Sequence, residues 1–328
     1  MGRSGLWVSR LGLGTMTWGR DTDEHEARDQ WKMFLDAGGD LIDTADVYAD
    51  GLSERLVGQF LSETGSRSDL VLCTKAGSRP RTAHRFDASR GHLLQALDSS
   101  LRRMGTDYVD LWILHAWDPV TPLEETLAAL ETAVSSGRAR YVGVSNYAGW
   151  QLATAAQGQT DLRAAPLVAA QMEYSLVQRG VEREVVPAAQ HHGVGMLAWS
   201  PLGRGVLTGK YRRGTPPDSR AASPHFGPFV SEYLDDDRRR IVEAVVTAAE
   251  GLDSTPLEVA LAWVRDRPGV VAPVVGARTA NQLGPALDAE DLELPHEIRE
   301  ALDEVSRPAL GYPEHGWNQR RQQAPTNG

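Results

Sequence analysis

The sequence predicts a single-domain α/β protein of the (β/α)8 TIM-barrel class that covers residues 1–328. Short apolar runs alternate with segments of helical periodicity, and this alternation predicts a parallel sheet. Several of the apolar runs end in a charged or amide side chain: Asp43, Lys75, His115, Asn146 and Gln171. In a parallel barrel the carboxyl ends of all strands lie on one face, so we expect these side chains to converge there.

Eight strands can be counted along the chain. They are expected at residues 11–15, 41–43, 70–75, 109–115, 141–146, 167–171, 196–199 and 271–275. Eight strands favour a closed barrel. On the pattern alone, an open doubly wound sheet is the alternative.

Helical segments fill the gaps between these strands. Leucines recur at helical spacing in residues 93–104 and 123–134, and further helices are expected at 24–37, 53–62, 149–156 and 183–192. Ser53 and the pair Thr121-Pro122 are typical of helix starts. The pair Gly38-Gly39, Gly105 and Gly137 follow helical segments, where a left-handed cap favours glycine.

Three segments depart from the repeat. Residues 203–234 follow the seventh strand and are rich in Gly, Pro, Ser and Arg; a loop of this length in a compact domain is usually functional. Residues from about 308 to 328 form a polar C-terminal tail, expected to be either disordered or a flap near the active face. Residues 3–8 are expected to form a short hairpin that plugs the bottom of the barrel.

Composition excludes several classes of function. The chain has 34 Lys and Arg against 44 Asp and Glu, a net charge of −10, which argues against a nucleic-acid surface. Cys73 is the only cysteine, so an internal disulfide and a thiolate metal site are ruled out, and its apolar surroundings predict a core residue. We found no signal peptide and no apolar stretch long enough to span a bilayer, so we expect a cytoplasmic protein.

The glycine clusters do not form a phosphate-binding motif. Gly12-Leu13-Gly14 and Gly203-Arg204-Gly205 lack the third glycine of the dinucleotide fingerprint, and Tyr211 stands where a P-loop needs Ser or Thr. His191-His192 has no further ligand at metal-site spacing. These motifs predict neither a Rossmann site nor a P-loop, and no metal site is expected.

The segment 43–48, Asp-Thr-Ala-Asp-Val-Tyr, is the richest local motif. A tyrosine, with an ordinary pKa of about 10, becomes a usable proton donor when a nearby ammonium stabilises its phenolate. Lys75 could supply that charge to Tyr48, and Asp43 could hold the lysine. His115 could then hydrogen-bond the oxygen that accepts the proton. Each of these residues also has a plain structural interpretation when taken singly.

The chain resembles the aldo-keto reductases over essentially its whole length. The matching stretches are residues 12–16, 41–48, 74–75, 138–146 and 198–205. The resemblance implies that Asp43, Tyr48, Lys75 and His115 form that family's catalytic tetrad. It also implies NADPH-dependent reduction of an aldehyde or ketone by direct hydride transfer, with Tyr48 as the general acid. His115 bears on the reaction, since carbon–carbon double-bond reductases of the family often replace it.

The resemblance also implies where the cofactor binds. Ser145, Asn146 and Gln171 would hold the nicotinamide carboxamide, and Trp199 would stack on the ring, where the family more often has tyrosine. The other positions implied for cofactor binding are Thr15, Met16, Asp43, Ser200, Leu202, Gly203, Gly205, Lys210, Gly276, Arg278 and Gln282. Arg278 suits the adenosine 2′-phosphate because of its fixed donor fork, so NADPH is favoured over NADH.

The chain departs from the family just after Gln282. The family usually has a Glu-Asn pair that contacts adenine, whereas this sequence has Pro285-Ala286. Neither side chain can make those hydrogen bonds, which leaves open how adenine is recognised.

Two other functions remain open on the sequence. One is a cofactor-sensing regulatory subunit resembling potassium-channel beta subunits; the other is a barrel lyase or isomerase that uses Lys75 as a Schiff-base amine.

The expected partner is a small-molecule carbonyl compound. Neither its identity nor the oligomeric state follows from the sequence. Trp18, Trp112, Trp117 and Trp317 are candidates for an aromatic substrate pocket, although tryptophans at such positions are as often core residues.

Overall fold

Eight parallel strands close into a barrel in chain order, as the sequence predicts. The computed structural model describes residues 1–217, 219–223, 226–309 and 311–312. The strands are β1 (Gly12–Gly14), β2 (Leu41–Asp43), β3 (Val71–Ala76), β4 (Val109–Leu114), β5 (Ala139–Ser145), β6 (Leu167–Glu173), β7 (Gly195–Trp199) and β8 (Val270–Val275). Pairing of Gly12 with Val274 joins β1 to β8 and completes the barrel, which excludes the open sheet.

Helices surround the barrel and lie between successive strands. They are α1 (Glu24–Asp36), α2 (Leu52–Thr64), α3 (Arg90–Met104), α4 (Leu123–Ser135), α5 (Gly149–Asp161), α6 (Val181–His192), α7 (Gly227–Ser231), α8 (Asp236–Gly251), α9 (Pro256–Arg265), α10 (Ala280–Asp288) and α11 (His296–Val305). As expected, Gly38, Gly105 and Gly137 have positive φ, whereas Gly39 does not. None of the helices in the described residues is long and apolar enough to cross a membrane.

Alternation along the strands sorts side chains between the barrel interior and the helical layer. Leu41, Cys73, Leu111, Ile113 and Leu197 belong to the interior cluster. Intervening residues such as Ile42, Leu72 and Trp112 belong to the cluster shared with the helices. Cys73 is thus a core residue, as predicted. Because strand side chains repeat every two residues, a residue two places beyond an interior one also points inward.

The start of α2 differs from the prediction. The helix begins at Leu52, and its preceding residue Gly51 has a φ of 85°. Ser53 is fully buried and caps nothing; its hydroxyl donates to the backbone oxygen of Thr15. The local sequence pattern was misleading, because it does not distinguish a serine that caps a helix from one that makes tertiary hydrogen bonds.

The N-terminal segment covers the bottom of the barrel without forming the predicted hairpin. The described residues 3–8 contain no strand pairing. Instead, the amide of Arg3 donates to the carbonyl of Gly193, next to the start of β7, at 2.7 Å. Met1 and Val8 pack against the interior cluster.

The segment that follows β7 has structure of its own. It contains a 3-10 turn at Gly203–Thr208 and the short helix α7, before α8 and α9 complete the crossover to β8. Most of the predicted C-terminal tail, including Trp317, lies outside the described residues. The beginning of the tail passes the first turn of α6, where Arg183 donates to the carbonyl of Tyr312 at 3.2 Å.

Candidate active site

The polar residues at the strand ends lie at the carboxyl mouth of the barrel. Asp43, Lys75 and His115 each stand two positions beyond an interior core residue, namely Leu41, Cys73 and Ile113. Ser145, Gln171 and Trp199 occupy corresponding positions on β5, β6 and β7. The period of two therefore directs one polar or aromatic side chain from each of six strands, or from the residue just after it, to the same face.

Lys75 is the centre of the polar group at the mouth. Its ammonium donates to Oδ2 of Asp43 at 2.7 Å and to the carbonyl of Thr44 at 2.8 Å. It lies 3.5 Å from the phenolic oxygen of Tyr48. The Lys75 side chain is 1% exposed and that of Asp43 is 5% exposed, so the ion pair is buried beneath the mouth rather than open to solvent.

Tyr48 stands at the start of a tight turn after β2. The turn spans Tyr48–Gly51, and Ala49, Asp50 and Gly51 all have positive φ, at 46°, 55° and 85°. Two consecutive non-glycine residues in this region are costly, so the surrounding structure must hold them there.

A buried ion pair supports the Tyr48 turn from behind. Glu54 has no exposed side-chain surface; it accepts from Arg103 at 2.6 Å and from the hydroxyl of Thr74 at 2.6 Å. The Arg103 side chain packs against Gly51 so closely that a Cβ there would lie 2.7 Å from Cδ of Arg103. Sequence reasoning missed this pair because its members are 49 residues apart.

His115 faces Tyr48 across the mouth. The two rings meet edge to face with centroids 6.0 Å apart. Burial, together with the nearby charge of Lys75, lowers the pKa of His115 to about 3. The imidazole is therefore neutral at physiological pH, and it can take part in hydrogen bonding without adding a positive charge.

The pKa of Tyr48 is the balance of opposing effects. Burial raises it, whereas the charge of Lys75 and its hydrogen bond lower it, and the net shift is upward from the ordinary value. Lys75 thus acts in the predicted direction without overcoming burial. For Lys75, burial lowers the pKa but Asp43 and then Tyr48 raise it, and the net shift is upward, so the ammonium stays protonated.

Asp46 is an unusual carboxyl close to this group. Burial, and then the charge of Glu54, raise its pKa to about 7, against the smaller opposing effects of Arg103 and Lys75. Its Oδ1 is buried and has no hydrogen-bond partner among the described residues. The sequence gives no sign of this, because Asp46 lies in a loop that would ordinarily be solvated.

An amide and hydroxyl network adjoins the group formed by Asp43, Tyr48, Lys75 and His115. Nε2 of Gln171 donates to Oδ1 of Asp43 at 2.7 Å, and the hydroxyl of Ser145 donates to the carbonyl of Gln171 at 2.7 Å. Nδ2 of Asn146 donates to the carbonyl of His115 at 2.9 Å. Oδ1 of Asn146 accepts from the indole of Trp199 at 3.1 Å. The backbone amide of Asn146 also donates to the carbonyl of Gln171 at 3.2 Å, which joins these bonds into one network.

The loop after β7 follows Trp199 directly and brings Lys210 close to the backbone of Gly205. Ser200, Gly203 and Gly205 all have positive φ. A Cβ on Gly205 would lie 3.1 Å from Nζ of Lys210, so glycine leaves room for the ammonium above the backbone. Leu202 is half-buried and packs against the core.

Arg278 and Gln282 follow β8, and Thr15 and Met16 follow the neighbouring strand β1. The backbone amide of Arg278 donates to Oε1 of Gln282 at 3.1 Å, and its carbonyl accepts from Thr22. Gly276 is exposed beside them. Thr15 is fully buried, and its hydroxyl donates to the carbonyl of Asp43, so this hydroxyl makes its hydrogen bond within the protein. Met16 is half-buried.

The structure divides the tryptophans that were candidates for a substrate pocket. Trp18 is fully buried, donates to Gln30 at 3.0 Å and packs on Phe60, so it is a core residue and the pocket assignment is corrected. Trp112 is likewise in the core.

Trp117 is half-buried two residues beyond His115, and its ring lies against those of Tyr147 and the exposed Trp150, at centroid distances of 5.2 and 5.4 Å. Trp317 lies outside the described residues.

The site also has a second cluster that sequence reasoning missed. Arg204 bonds Glu173 at the end of β6, and its guanidinium lies 3.6 Å from the ring of Phe229 in α7. Phe229 in turn lies nearly parallel to Trp199. Within the described residues, no three His, Cys, Asp or Glu side chains come together in a way that could hold a metal ion.

Comparisons with known proteins find similarity over nearly the whole chain. A family model described as the aldo/keto reductase family matches residues 10–307. The chain is 36% identical over 321 residues to the uncharacterized oxidoreductase YrpG of Bacillus subtilis, covering 93% of this chain and 94% of that protein.

Two further relatives carry different descriptions. A probable voltage-gated potassium channel subunit beta of Oryza sativa is 35% identical over 309 residues, covering 93% of this chain and 94% of that protein. Protein tas of Escherichia coli is 33% identical over 335 residues, covering 92% and 95%. The family resemblance predicted from the sequence motifs is confirmed.

Proposed function

This chain belongs to the aldo/keto reductase family, and we propose that it reduces an aldehyde or ketone to an alcohol with NADPH. The observation that carries the proposal is the contact of one ammonium, Lys75, with both Asp43 and the phenolic oxygen of Tyr48. A buried, permanently charged lysine beside a tyrosine lowers the cost of forming the phenolate.

The side chains at the mouth suit a nicotinamide dinucleotide phosphate. Asn146 and Gln171 offer amide groups and Trp199 an aromatic face, which are the groups that a carboxamide-bearing ring needs. Lys210, above the backbone of Gly205, and Arg278 offer the cations that phosphates need. When bound, the cofactor supplies the hydride that goes to the carbonyl carbon.

The chain's own residues would manage the proton and the orientation of the substrate. Tyr48 gives its phenolic proton to the carbonyl oxygen, and Lys75, held by Asp43, stabilises the resulting phenolate. The neutral imidazole of His115 hydrogen-bonds the same oxygen and orients it. The half-buried Trp117 borders the substrate side of the mouth.

The decisive experiment compares the wild type with Tyr48→Phe. We expect the wild type to oxidise NADPH in the presence of aldehydes, and the variant to lose turnover by about 10²–10⁴-fold, the usual contribution of a general acid. NADPH binding should persist in the variant, because the ring volume is unchanged. Near-normal carbonyl reduction by Tyr48→Phe would contradict the role of Tyr48.

A cofactor-sensing regulatory subunit is the second candidate. The similarity to probable potassium-channel beta subunits favours it. NADPH that stays bound through gel filtration and turns over slowly with every carbonyl compound tested would support this role. Schiff-base chemistry is disfavoured, because the raised pKa of Lys75 keeps its amine protonated.

A further inference from the structure

We infer that Arg204 and Phe229 form a positioning unit that holds the indole of Trp199 in place for the nicotinamide ring. This inference rests on the proposed function, since it concerns the surface on which the cofactor would stack. The geometry points to it through three successive contacts, from the barrel to Arg204, from Arg204 to Phe229, and from Phe229 to Trp199.

Arg204 is anchored to the barrel by a two-pronged ion pair. Its side chain is 7% exposed, and Nε and Nη2 donate to the two carboxylate oxygens of Glu173 at 2.8 and 2.9 Å. Nη1 donates to Glu232, just after α7, at 2.7 Å. A planar guanidinium with this many fixed bonds has one defined orientation.

The guanidinium also lies over two aromatic rings. Its central carbon is 3.6 Å from the centroid of Phe229 and 4.4 Å from that of Tyr233. Because a guanidinium is attracted to aromatic faces and stacks on them, the anchored Arg204 restrains the position of Phe229. Lysine would keep the charge but could not reproduce the stacking.

Phe229 transmits this restraint to Trp199. The two rings are 14° from parallel with centroids 6.5 Å apart, within the range of offset-stacked pairs. The indole nitrogen of Trp199 is also bonded to Asn146. Trp199 is therefore held at one edge by Asn146 and approached by the ring of Phe229, while Arg204 restrains the position of Phe229.

A purely structural role for Arg204 is the competing explanation, and Arg179 provides the matched control. Arg179 is similarly buried, with 8% of its side chain exposed; it pairs with both oxygens of Glu182 and lies 5.2 Å from the ring of Trp263. It joins α6 to α11, where it donates to the carbonyl of Asp303. Arg179→Lys makes the same chemical change as Arg204→Lys without touching the Trp199 group.

The experiment measures NADPH affinity and Trp199 exposure in the full-length protein. The variants are Phe229→Leu, which keeps the ion pairs of Arg204, then Phe229→Tyr, Arg204→Lys and the control Arg179→Lys. NADPH dissociation constants come from energy transfer between tryptophan and the bound nucleotide. Acrylamide quenching, with Trp199→Phe as the reference for the Trp199 signal, reports on the indole without any cofactor.

We expect Phe229→Leu and Arg204→Lys to weaken NADPH binding by about 3- to 10-fold, the effect of losing an aromatic pair. Both should make Trp199 more accessible to acrylamide. Phe229→Tyr should stay within about twofold of the wild type, since it keeps the ring. Arg179→Lys should lower the melting temperature but leave NADPH affinity and Trp199 quenching unchanged.

Several outcomes would overturn the inference. Unchanged Trp199 quenching and NADPH affinity in Phe229→Leu would mean that Phe229 does not hold the indole. Tighter NADPH binding in that variant would mean that Phe229 occupies the place of the nicotinamide, and equal weakening by Arg179→Lys would mean a general stability effect. A wild type that binds no NADPH would contradict the proposed function, and quenching would still decide whether Phe229 holds Trp199.

Discussion

Gln171 and Asp43, 128 residues apart in the chain, are joined by a hydrogen bond of 2.7 Å from Nε2 of the amide to Oδ1 of the carboxylate. The other oxygen of Asp43 accepts from Lys75. Asp43 therefore connects the lysine beside Tyr48 to the amide beside Asn146. The bond also fixes the orientation of the Gln171 amide, with its nitrogen toward Asp43 and its oxygen left as the acceptor for another group.

The first prediction follows from that bond. Gln171→Glu places a second carboxyl group against Oδ1 of Asp43, and ionising both carboxyl groups at that distance costs free energy because their charges repel. The pKa of the new carboxyl would be raised in the folded protein, so stability should be retained near pH 5 and lost as the pH rises. Urea unfolding should show a loss of about 2–4 kcal/mol at pH 8. Equal losses at pH 5 and pH 8 would contradict this.

The second prediction concerns the Lys75–Asp43 pair. Because both side chains are buried, we expect Lys75→Met to lose about 3–5 kcal/mol in the free energy of unfolding, from the unpaired charge on Asp43.

The double variant Lys75→Met with Asp43→Asn separates charge from packing. We expect it to recover stability relative to Lys75→Met, measured by denaturant unfolding, while carbonyl reduction stays lost. A double variant no more stable than the single one would show that the unpaired carboxylate is not the cause.

The third prediction concerns the preference for NADPH. The side chains of Pro285 and Ala286 have no hydrogen-bond donor or acceptor, and Ala286 is only 1% exposed, so neither side chain can bond adenine, and Arg278 should carry more of the affinity. Arg278→Ala should weaken NADPH by about 1.5–3 kcal/mol for a lost charge-assisted contact, and NADH by much less. Fluorescence titration of both nucleotides measures this. Equal weakening would mean that Arg278 does not bind the 2′-phosphate.

The fourth prediction concerns Asp46. At a pH between the ordinary pKa near 4 and the folded pKa of about 7, the Asp46 carboxyl is deprotonated in the unfolded chain but keeps its proton in the folded protein. Stability from this group therefore falls as the pH rises through that window. The free energy of unfolding of Asp46→Asn, relative to that of the wild type, should therefore rise by about 1–2 kcal/mol from pH 5 to pH 8, as measured by urea unfolding. A stability difference that does not change with pH would contradict the shifted pKa.

Local sequence patterns predicted the barrel and the convergence of Asp43, Lys75 and His115 at its carboxyl mouth. Alternation of strands and helices predicts the topology, and the two-residue period places Asp43, Lys75 and His115 beyond core residues at one face. Both depend on neighbours in sequence. Trp18 shows the limit of this reasoning, because an aromatic residue beside a strand end looks the same whether it lines a pocket or packs on Phe60.

Long-range pairings could not be predicted in the same way. Glu54 meets Arg103, and Arg204 meets Glu173 and Glu232, only because the barrel brings separate elements together. The burial of Lys75 and the raised pKa of Asp46 depend on the same packing. These features arise from tertiary packing, so they cannot be predicted from composition or periodicity.

The three successive left-handed residues after Tyr48 limit which sequences this loop can accept during laboratory evolution. Ala49 and Asp50 have φ of 46° and 55°, where branched side chains are strongly disfavoured. A mutant library that randomises these positions in search of new substrates would consist mostly of variants that move Tyr48. Diversity is better placed at Trp117 and Trp150, where the backbone has ordinary geometry and one ring is already exposed.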